Sequence, residues 1–306
     1  MKYDVVSVGA ATLDIFAKSQ QFIIDKKLLS LEYSSKNEIS QSLICSGGGA
    51  TNSAVSFSRL GLKSACVALL GDDPLADIVK KDLKDNSVST SYLKNIKGDS
   101  TDFSIILVAP DGARSILTNR GSSRLESKHF PWKKLKTSWL YITSLEGNLD
   151  LLEKLIGFAK ESDIKVALNP GNRELARRKE LLPLLPYVDF LLLNRHESEE
   201  LVTLPLTHPL FWEKLLSFGA SVTALTDGRN GAHILTESQS LFSPIINTKP
   251  ADETGAGDAF GSTFVASLLH GRSLEKSLSW AIKNSASVVS HLGAKEGLLT
   301  LSKIKR

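Results

Sequence analysis

Short runs of mostly apolar residues recur along this 306-residue sequence, and each ends near Gly, Asn, Asp or Thr. Continuous apolar runs of about four to eight residues are typical of strands in a parallel sheet, whose two faces are covered by helices. With 42% hydrophobic residues, the chain can bury a core of the size that such a sheet needs. We predict strands at residues 5–9, 65–71, 103–109, 139–143, 164–169, 188–194 and 222–226.

Amphipathic stretches of helical length lie between several of these runs. The first covers residues 50–60 and is followed by Gly61, a common C-terminal cap. Pro74 begins another, at a position where proline is tolerated, and that helix is expected to run to about residue 84. Alternation of strands and helices predicts a doubly wound α/β sheet with right-handed crossovers. Further helices are predicted at residues 149–160, 209–218, 259–270 and 274–291.

Two segments depart from this alternation, at residues about 14–44 and 100–120. The first has no clear helical pattern, and the second predicts a hairpin of residues 103–109 and 114–118 around Pro110-Asp111-Gly112. Together they could form a small β lid. The sequence has no internal repeat, and no linker rich in proline or serine divides it, so we expect one domain over residues 1–306.

Charge and hydropathy argue against two classes of partner. The net charge is +4, and the basic residues are dispersed except for Lys303, Lys305 and Arg306, so nucleic acid is not an expected ligand. No apolar stretch approaches the ~20 residues that cross a bilayer, and the N-terminus lacks the features of a signal peptide. Cys45 and Cys66 have no metal-site spacing and predict no disulfide framework, so we expect a cytoplasmic protein.

The segment Thr254-Gly255-Ala256-Gly257-Asp258 immediately precedes a predicted helix. Backbone N–H groups at a helix start are unpaired, and the helix dipole adds about half a positive charge there, so such a segment can bind phosphate. An acid at this position is expected to stay a carboxylate, and beside a substrate hydroxyl Asp258 could accept the proton during phosphoryl transfer. Alternatively, the small residues serve packing, and Asp258 only stabilises the helix dipole.

Two other nucleotide-binding motifs are excluded. The Walker A pattern Gly-x-x-x-x-Gly-Lys-Ser/Thr does not occur. The dinucleotide pattern Gly-x-Gly-x-x-Gly fails because Gly261 comes one residue too late, and because the segment lies near the end of the chain and not after the first strand. A dinucleotide oxidoreductase is therefore a remote alternative.

The run from Asp252 to Phe260, Asp-Glu-Thr-Gly-Ala-Gly-Asp-Ala-Phe, resembles the C-terminal signature of the ribokinase-like (PfkB-type) sugar kinases. Other motifs of that family occur in matching order from about residue 3 to residue 297. They are Gly9 with Asp14, Gly47-Gly48-Gly49-Ala50-Thr51-Asn52 with Arg59-Leu60-Gly61, Ala167-Leu168-Asn169-Pro170, Asn194-Arg195-His196-Glu197, and Thr226-Asp227-Gly228 with Gly231.

The resemblance implies a ribokinase-like three-layer α/β/α sandwich, with a central mostly parallel sheet and a small β lid. It implies an ATP-dependent kinase that moves the γ-phosphoryl group to a hydroxymethyl or other alcohol group of a small ribose- or fructose-like sugar. The implied cofactors are ATP and Mg²⁺, with K⁺ in several members. Lids of this type often pair between subunits, because an exposed sheet edge or face invites a partner, so a homodimer is expected.

The resemblance also implies roles for individual residues. Asp258 would be the catalytic base, with Gly255, Ala256 and Gly257 as the anion hole. The other implied positions are substrate contacts at Asp14, Gly47, Gly48, Asn52 and Glu146; nucleotide contacts at Asn194, Thr226, Gly228, Gly231 and Asn284; Mg²⁺ held through water by Asn194 and Glu197; and K⁺ at Asp252 and Thr254, with carbonyls near Val288, His291 and Gly293.

Several of these residues also have a purely structural interpretation. Asn194 can cap a helix whose first turn is acidic at Glu197. Glu146 can be a solvated loop acid, and Asn284 can lie on a helix surface. Asp14 and the glycines near residue 48 can form a cap and a turn.

One departure from the family bears on the substrate. Ribokinases usually carry lysine at the third position of the Gly-Gly segment, where this chain has Gly49. A charge that would contact the sugar is therefore absent, and a nucleoside kinase acting on adenosine, inosine or cytidine is the nearest alternative. A non-catalytic sugar or nucleotide sensor is a further alternative, although a sensor needs no base such as Asp258.

Overall fold

The computed structural model describes residues 2–26, 28–111, 114–121 and 124–306. Gly112 of the predicted hairpin turn lies outside these residues. The strands are β1 (Tyr3–Val8), β2 (Thr12–Lys18), β3 (Ile23–Asp25), β4 (Leu28–Ser30), β5 (Gln41–Gly47), β6 (Ser64–Val67), β7 (Leu69–Gly71), β8 (Lys94–Ile96), β9 (Asp102–Val108), β10 (Arg114–Asn119), β11 (Thr137–Ile142), β12 (Lys165–Leu168), β13 (Phe190–Asn194), β14 (Val222–Thr226), β15 (Ala232–Leu235) and β16 (Ser240–Ser243). The helices are α1 (Gly49–Arg59), α2 (Pro74–Asp85), α3 (Leu149–Glu161), α4 (Asn172–Leu175), α5 (Arg178–Leu181), α6 (Arg195–Val202), α7 (Phe211–Leu216), α8 (Ala256–Leu269), α9 (Leu274–Val289) and α10 (Leu301–Ile304), with 3₁₀ turns at Ser127–His129, Leu182–Tyr187 and Gly228–Asn230.

An eight-stranded sheet forms the centre of the molecule, in the order β16-β15-β14-β13-β12-β11-β1-β6. The strands from β14 to β6 are parallel, and β15 and β16 extend one edge as an antiparallel pair. The mostly parallel sheet predicted from the apolar runs is confirmed. The same pattern does not predict the edge strand β16, because its residues alternate between exposed and half-buried and form no continuous apolar run.

Alternate residues of the central strands pack against helices on opposite faces of the sheet. On β11, Leu140 belongs to the core formed with α3, α6 and α7, and its neighbour Tyr141 belongs to the core formed with α1, α8 and α9. Both side chains are buried, as expected for a strand covered on both faces. The three-layer α/β/α arrangement is therefore confirmed. Among the described helices, none combines the length and apolar character needed to span a bilayer.

A separate four-stranded sheet, in the order β10-β9-β2-β5, is built from the two segments that depart from the alternation, and we call it the small sheet. The predicted run 103–109 forms β9 of this sheet and not a strand of the central one, because only some of its side chains, such as Ile106 and Val108, are buried in a core. The inner face of the small sheet, with Phe16, packs against Leu292 in the loop after α9. The small sheet therefore packs on the loop that follows α9.

Helix α8 begins at Ala256, earlier than the predicted start at residue 259. Gly255 precedes it with a φ of +78°, a left-handed conformation that glycine adopts without strain. Asp258 consequently lies within the first helical turn and not ahead of the helix.

Candidate active site

The C-terminal ends of the parallel strands lie along one edge of the central sheet, where ligands of open α/β sheets bind. Gly9 follows β1, Glu146 lies in the loop after β11, and Asn194 and Thr226 are the last residues of β13 and β14. Asn194 and Thr226 are paired in register, so they lie side by side. The fold thus brings residues from three of the predicted motifs, together with Glu146, to the same edge of the sheet.

In the loop that leads into α8, protein atoms fill the space beside Gly255, whereas the space beside Gly257 is free. A side chain at Gly255 would collide with Ala294. A Cβ added at Gly257 would have no described atom within 4 Å outside its own turn, so this face of the turn borders free space. No described group accepts a hydrogen bond from the N–H of Gly255 or Gly257, whereas the N–H of Ala256 donates to the carbonyl of Glu253 at 3.3 Å. The N–H groups of the two glycines are therefore available to an anion. We call residues 254–258 the anion loop.

Asp258 is held in place by a residue from the N-terminal part of the chain. Asn52 on α1 donates a hydrogen bond of 2.8 Å from Nδ2 to Oδ2 of Asp258. Burial raises the pKa of Asp258, and the Asn52 hydrogen bond and the charge of Lys295 partly offset that rise. The residue still keeps part of its surface accessible. Asp258 therefore binds a proton more tightly than an ordinary aspartate.

Asp14 and the glycines before α1 form another part of the site. Thr12 and Gly47 are paired across β2 and β5, and a side chain at Gly47 would overlap the Asp14 carboxylate. Asp14 is buried, burial raises its pKa, and Thr12 donates a hydrogen bond of 3.3 Å to it. A Cβ at Gly48 would lie 2.5 Å from the carbonyl oxygen of Ala10. The predicted substrate positions on β2 and before α1 therefore lie against one another.

Asn52 has a polar atom without a partner. Its Oδ1 is buried and accepts no hydrogen bond from the described residues, while its Nδ2 is engaged with Asp258. An unsatisfied buried acceptor is unfavourable, so a ligand hydroxyl at this position would gain a hydrogen bond that the protein lacks. Asn52 thus combines an unsatisfied buried acceptor with a hydrogen bond to Asp258.

Lys295 is a buried cation that the sequence does not single out. Its Nζ lies 3.0 Å from Oδ2 of Asp82 on α2 and 3.0 Å from Oγ1 of Thr51 on α1. It also contacts Oγ of Ser46 on β5, and the whole residue is 4% exposed. One lysine in the loop after α9 thus joins two helices to the small sheet. No motif surrounds Lys295 in the sequence, so no sequence signal identifies it.

Glu146 lies between two arginines. Its Oε1 forms an ion pair of 2.7 Å with Arg120, and its Oε2 forms one of 3.0 Å with Arg173. The backbone of Glu146 has a φ of +57°, and the buried Glu174 holds this loop by accepting hydrogen bonds from backbone N–H groups on both sides of Glu146. Glu146 is therefore a fixed, charge-paired residue and not a solvated loop acid. The sequence motifs identify neither arginine.

Asn194 and Glu197 cap α6 reciprocally. The N–H of Glu197 donates to Oδ1 of Asn194 at 2.9 Å, and the N–H of Asn194 donates to Oε2 of Glu197 at 2.8 Å. The structural interpretation of these two residues is confirmed. Among the described residues, Oε1 of Glu197 and the amide nitrogen of Asn194 have no hydrogen-bond partner. A carboxylate oxygen of this kind suits a hydrated Mg²⁺.

The turn after β14 contains the predicted nucleotide contacts Thr226, Gly228 and Gly231. The N–H of Asp227 donates to the carbonyl of Gly231 at 2.9 Å and closes the turn. Gly228 borders free space, whereas Gly231 packs tightly against Ser243 of β16. The backbone at Gly228 can therefore approach a ligand, while Gly231 shapes the turn.

Asn284 is a correction to the sequence analysis. It is 0% exposed on α9, its Nδ2 donates to Oγ1 of Thr263 at 2.7 Å, and its Oδ1 accepts from the N–H of Leu299 at 2.8 Å. With both ends of the amide satisfied inside the protein, Asn284 cannot contact a nucleotide or lie on the helix surface. The packing of α9 on α8 buries this position, and a motif match does not reveal that packing.

Asp252 joins three parts of the molecule just before the anion loop. Its Oδ1 accepts hydrogen bonds from N–H and Oγ1 of Thr254 at 3.0 and 2.7 Å, and forms an ion pair of 3.0 Å with Nη1 of Arg114 on β10. Its Oδ2 accepts from the N–H of Gly293 at 3.1 Å. The carboxylate thus connects the anion loop, the loop after α9 and the small sheet.

Two glycines of α8 differ in the space around them and should respond differently to alanine. At Gly261 a Cβ would overlap the Tyr141 hydroxyl, so Gly261→Ala should lower the free energy of unfolding by about 1–3 kcal/mol through overpacking. At Gly257 there is no such neighbour, so Gly257→Ala should leave that free energy unchanged or raise it by up to about 1 kcal/mol. Urea unfolding of both variants measures the difference. Equal destabilisation would contradict the open space at Gly257.

Known proteins resemble this chain in sequence and in structure. The ribokinase of Lactococcus lactis is 28% identical over 263 residues, which cover 85% of this chain and 84% of that protein. A candidate ribokinase II from E. coli, solved with ATP and Mg²⁺, has a TM-score of 0.83 at 19% identity, with 99% of this chain and 97% of that chain covered. The adenosine kinase of Sinorhizobium meliloti also has a TM-score of 0.83, at 24% identity, with 100% and 99% covered.

The two structural likenesses confirm the ribokinase-like fold. The sequence supports the same conclusion over its full extent, because the family model of the pfkB carbohydrate kinases matches residues 2–301. This chain therefore belongs to the pfkB family of carbohydrate kinases.

Proposed function

We propose that this carbohydrate kinase transfers the γ-phosphoryl group of ATP to a hydroxymethyl or other alcohol group of a small ribose- or fructose-like sugar. The observation that carries the proposal is the setting of Asp258. It is a partly accessible acid with a raised pKa, held by Asn52 beside the open face of the anion loop. A carboxylate of this kind accepts a hydroxyl proton more readily than an ordinary aspartate.

In the proposed reaction, Asp258 takes the proton of the substrate hydroxyl as that oxygen forms a bond to the γ-phosphorus. The bond between the γ-phosphorus and the bridging oxygen of ADP breaks, and ADP leaves with the electron pair. The N–H groups of Gly255, Ala256 and Gly257 would stabilise the negative charge of the transferred group, because they lie at the positive end of α8. For Ala256 this means exchanging its 3.3 Å bond to the Glu253 carbonyl for one to the phosphoryl group. Phosphoryl transfer needs little more than this positioning and charge stabilisation.

Substrate hydroxyls would be bound at the meeting point of the small sheet and α1. Asp14 can accept hydrogen bonds from two hydroxyls, and Oδ1 of Asn52 can accept one more. Gly47 leaves room for the Asp14 carboxylate and Gly48 for the carbonyl of Ala10, and both would contact the sugar through their backbone. Glu146, fixed by its two arginines, would contact a hydroxyl farther along the same edge of the sheet.

The nucleotide would lie at the adjacent ends of β13 and β14. Glu197 and Asn194 would hold Mg²⁺ through water molecules, and Mg²⁺ neutralises charge on the phosphates when bound. Thr226 and the open backbone at Gly228 would contact the nucleotide, with Gly231 shaping that turn.

A nucleoside kinase is the second candidate. It is favoured by Gly49, which leaves the sugar contact without the lysine usual in ribokinases, and by the similarity in fold to an adenosine kinase. A panel of ribose, deoxyribose, fructose, adenosine, inosine and cytidine, each with ATP and Mg²⁺, separates the two by ADP release. Turnover of free sugars only supports the first proposal, and turnover of nucleosides only supports the second. Ligand binding without any turnover would indicate a sensor.

A homodimer formed through the small sheet is proposed as well. Ile44, Ile15, Ile105 and Leu117 are register partners in a row across the four strands, on the face opposite Phe16. Ile44 and Leu117, at the two ends of the row, are 56% and 57% exposed. An apolar row on an open sheet face favours burial against a second copy. Light scattering of the purified protein measures the oligomeric state, and a monomer at micromolar concentration would contradict the proposal.

Replacing Asn52 with leucine should move the acid limb of the kcat–pH profile to higher pH. The active form of Asp258 is the carboxylate, and its pKa is already raised above 3.8. The Asn52 hydrogen bond lowers that pKa, so its loss raises the pKa further and requires a higher pH for ionisation. Asn37→Leu, in a loop of the chain away from Asp258, serves as the control. An acid limb at the wild-type position in Asn52→Leu would show that the bond does not act on the base.

A further inference from the structure

Asp252 is a buried acid whose negative charge must be balanced for the anion loop to keep its shape. Its side chain is 3% exposed, and both carboxylate oxygens accept hydrogen bonds from the protein. A buried carboxylate without a cation is strongly unfavourable. Among the described residues, Arg114 forms the ion pair with Asp252, with Nη1 at 3.0 Å from Oδ1.

The family resemblance places a monovalent cation at Asp252 and Thr254. The groups around Asp252 are hydrogen-bond donors, and such groups do not bind a cation. Its Oδ1 already accepts from the N–H and the hydroxyl of Thr254 and from Arg114, and its Oδ2 accepts from the N–H of Gly293. A K⁺ ion would face these positively polarised hydrogens and the guanidinium, and would add a second positive charge where one already balances the acid.

Arg114 reaches Asp252 from a different layer of the protein. It is the first residue of β10 in the small sheet, and its side chain is 30% exposed. The inner face of the small sheet packs beside Gly293, whose N–H donates to Asp252, with Phe16 and Cys45 within 4 Å of a Cβ placed at Gly293. The arginine therefore connects the sheet that carries Asp14 to the residue that precedes the anion loop.

We propose that the Arg114 guanidinium, and not a bound monovalent cation, neutralises Asp252 and positions the anion loop. Arg114 is a positioning residue, because it acts on the reacting groups through Asp252. A guanidinium directs its donors along fixed lines and holds a carboxylate in one orientation, unlike a mobile ion. The enzyme should consequently be active without K⁺. The anion loop should also depend on the small sheet, because Arg114 belongs to that sheet.

The first test compares salts, using the intact wild-type protein. With the substrate found by the panel, kcat should be the same in chloride salts of K⁺, Na⁺ and tetramethylammonium at equal ionic strength. Without substrate, the midpoint of thermal unfolding should also be the same in KCl and in tetramethylammonium chloride. Activation or stabilisation specific to K⁺ would overturn the proposal.

The second test removes the guanidinium. Arg114→Met should lower kcat roughly 10- to 100-fold, as expected when the reacting groups lose their alignment. Arg114→Lys keeps the charge and should retain more activity. Lys18→Met removes one positive charge from β2 of the same sheet and should leave kcat unchanged. Wild-type kcat in Arg114→Met would overturn the proposal.

The activity measurements rest on the proposed kinase function, but the unfolding measurements do not. If no sugar or nucleoside is phosphorylated, the proposed function fails while the comparison of KCl with tetramethylammonium chloride still tests the arginine. If phosphorylation occurs and K⁺ raises both kcat and the unfolding midpoint, the arginine proposal fails alone.

Discussion

Asp258→Asn is expected to lower kcat by about 10²–10⁴-fold, the range for losing a general base. Asparagine has nearly the same shape, so it can occupy the same space beside Asn52 and the anion loop. It cannot take the proton of the substrate hydroxyl, and the barrier for attack on the γ-phosphorus rises. Steady-state ADP release with the best substrate of the panel measures the change. A variant with wild-type kcat would exclude Asp258 as the base.

The same substitution should leave the protein folded and at least as stable. The pKa of Asp258 in the folded protein is raised above 3.8, so this group contributes stability that is present below pH 3.8 and is lost as the pH rises through the folded pKa. At pH 7 the partly desolvated carboxylate of Asp258 is therefore unfavourable, and asparagine removes that charge. Asp77→Asn, at an exposed acid in the first turn of α2, is the matched control and should change neither kcat nor the unfolding midpoint.

Lys295→Met is expected to have the largest effect on stability. Removing one partner of a buried ion pair is strongly destabilising, because the other charge and its neighbours lose their partner. Asp82 keeps a side-chain exposure of 29%, so water can solvate part of its charge. We therefore expect a loss of about 3 kcal/mol in the free energy of unfolding, the lower end of the range for buried pairs. Urea unfolding measures it.

A double-mutant cycle with Asp82→Asn separates the ion pair from the loss of packing. If the pair carries the effect, the two substitutions together should destabilise by less than the sum of the single ones. Lys81→Met removes an exposed lysine from the same helix as Asp82 and should not change the unfolding curve. A free energy of unfolding in Lys295→Met equal to that of wild type would contradict the role assigned to Lys295.

Lys295 should also affect the chemistry. Its charge lowers the pKa of Asp258 and of Asp14, so its removal raises both. In Lys295→Met the acid limb of the kcat–pH profile should therefore move to higher pH, in the same direction as in Asn52→Leu. If Lys295 had only a structural role, its removal would lower stability without moving the acid limb of the kcat–pH profile.

Local patterns in the sequence predicted the parts of the site that depend on neighbours in the chain. The anion loop depends on Gly255 directly before a helix whose first residues are Ala256 and Gly257. The reciprocal cap of α6 depends on Asn194 and Glu197, three positions apart. The buried runs of β1 and β11 to β14 are long enough to define a parallel sheet, and its C-terminal edge then follows from topology.

Two local predictions were less accurate for a physical reason. The start of α8 was placed too late, because Gly255 and Gly257 have low helix propensity and the turn at Gly255 depends on its close contact with Ala294. Asn284 matched a motif position, yet the packing of α9 places its amide in the interior, where Thr263 and Leu299 satisfy it.

By itself, the sequence determined the alternation of strands and helices, the family and the place of Asp258 at a helix start, because each rests on residues close together in the chain. Only the tertiary structure decided which side chains pair with the acids. Those pairs are Asn52 with Asp258, Lys295 with Asp82 and Arg114 with Asp252, separated by 206, 213 and 138 residues. Contacts over such distances arise when helices and sheets pack, and a lysine or arginine carries no local pattern that names the acid it will meet.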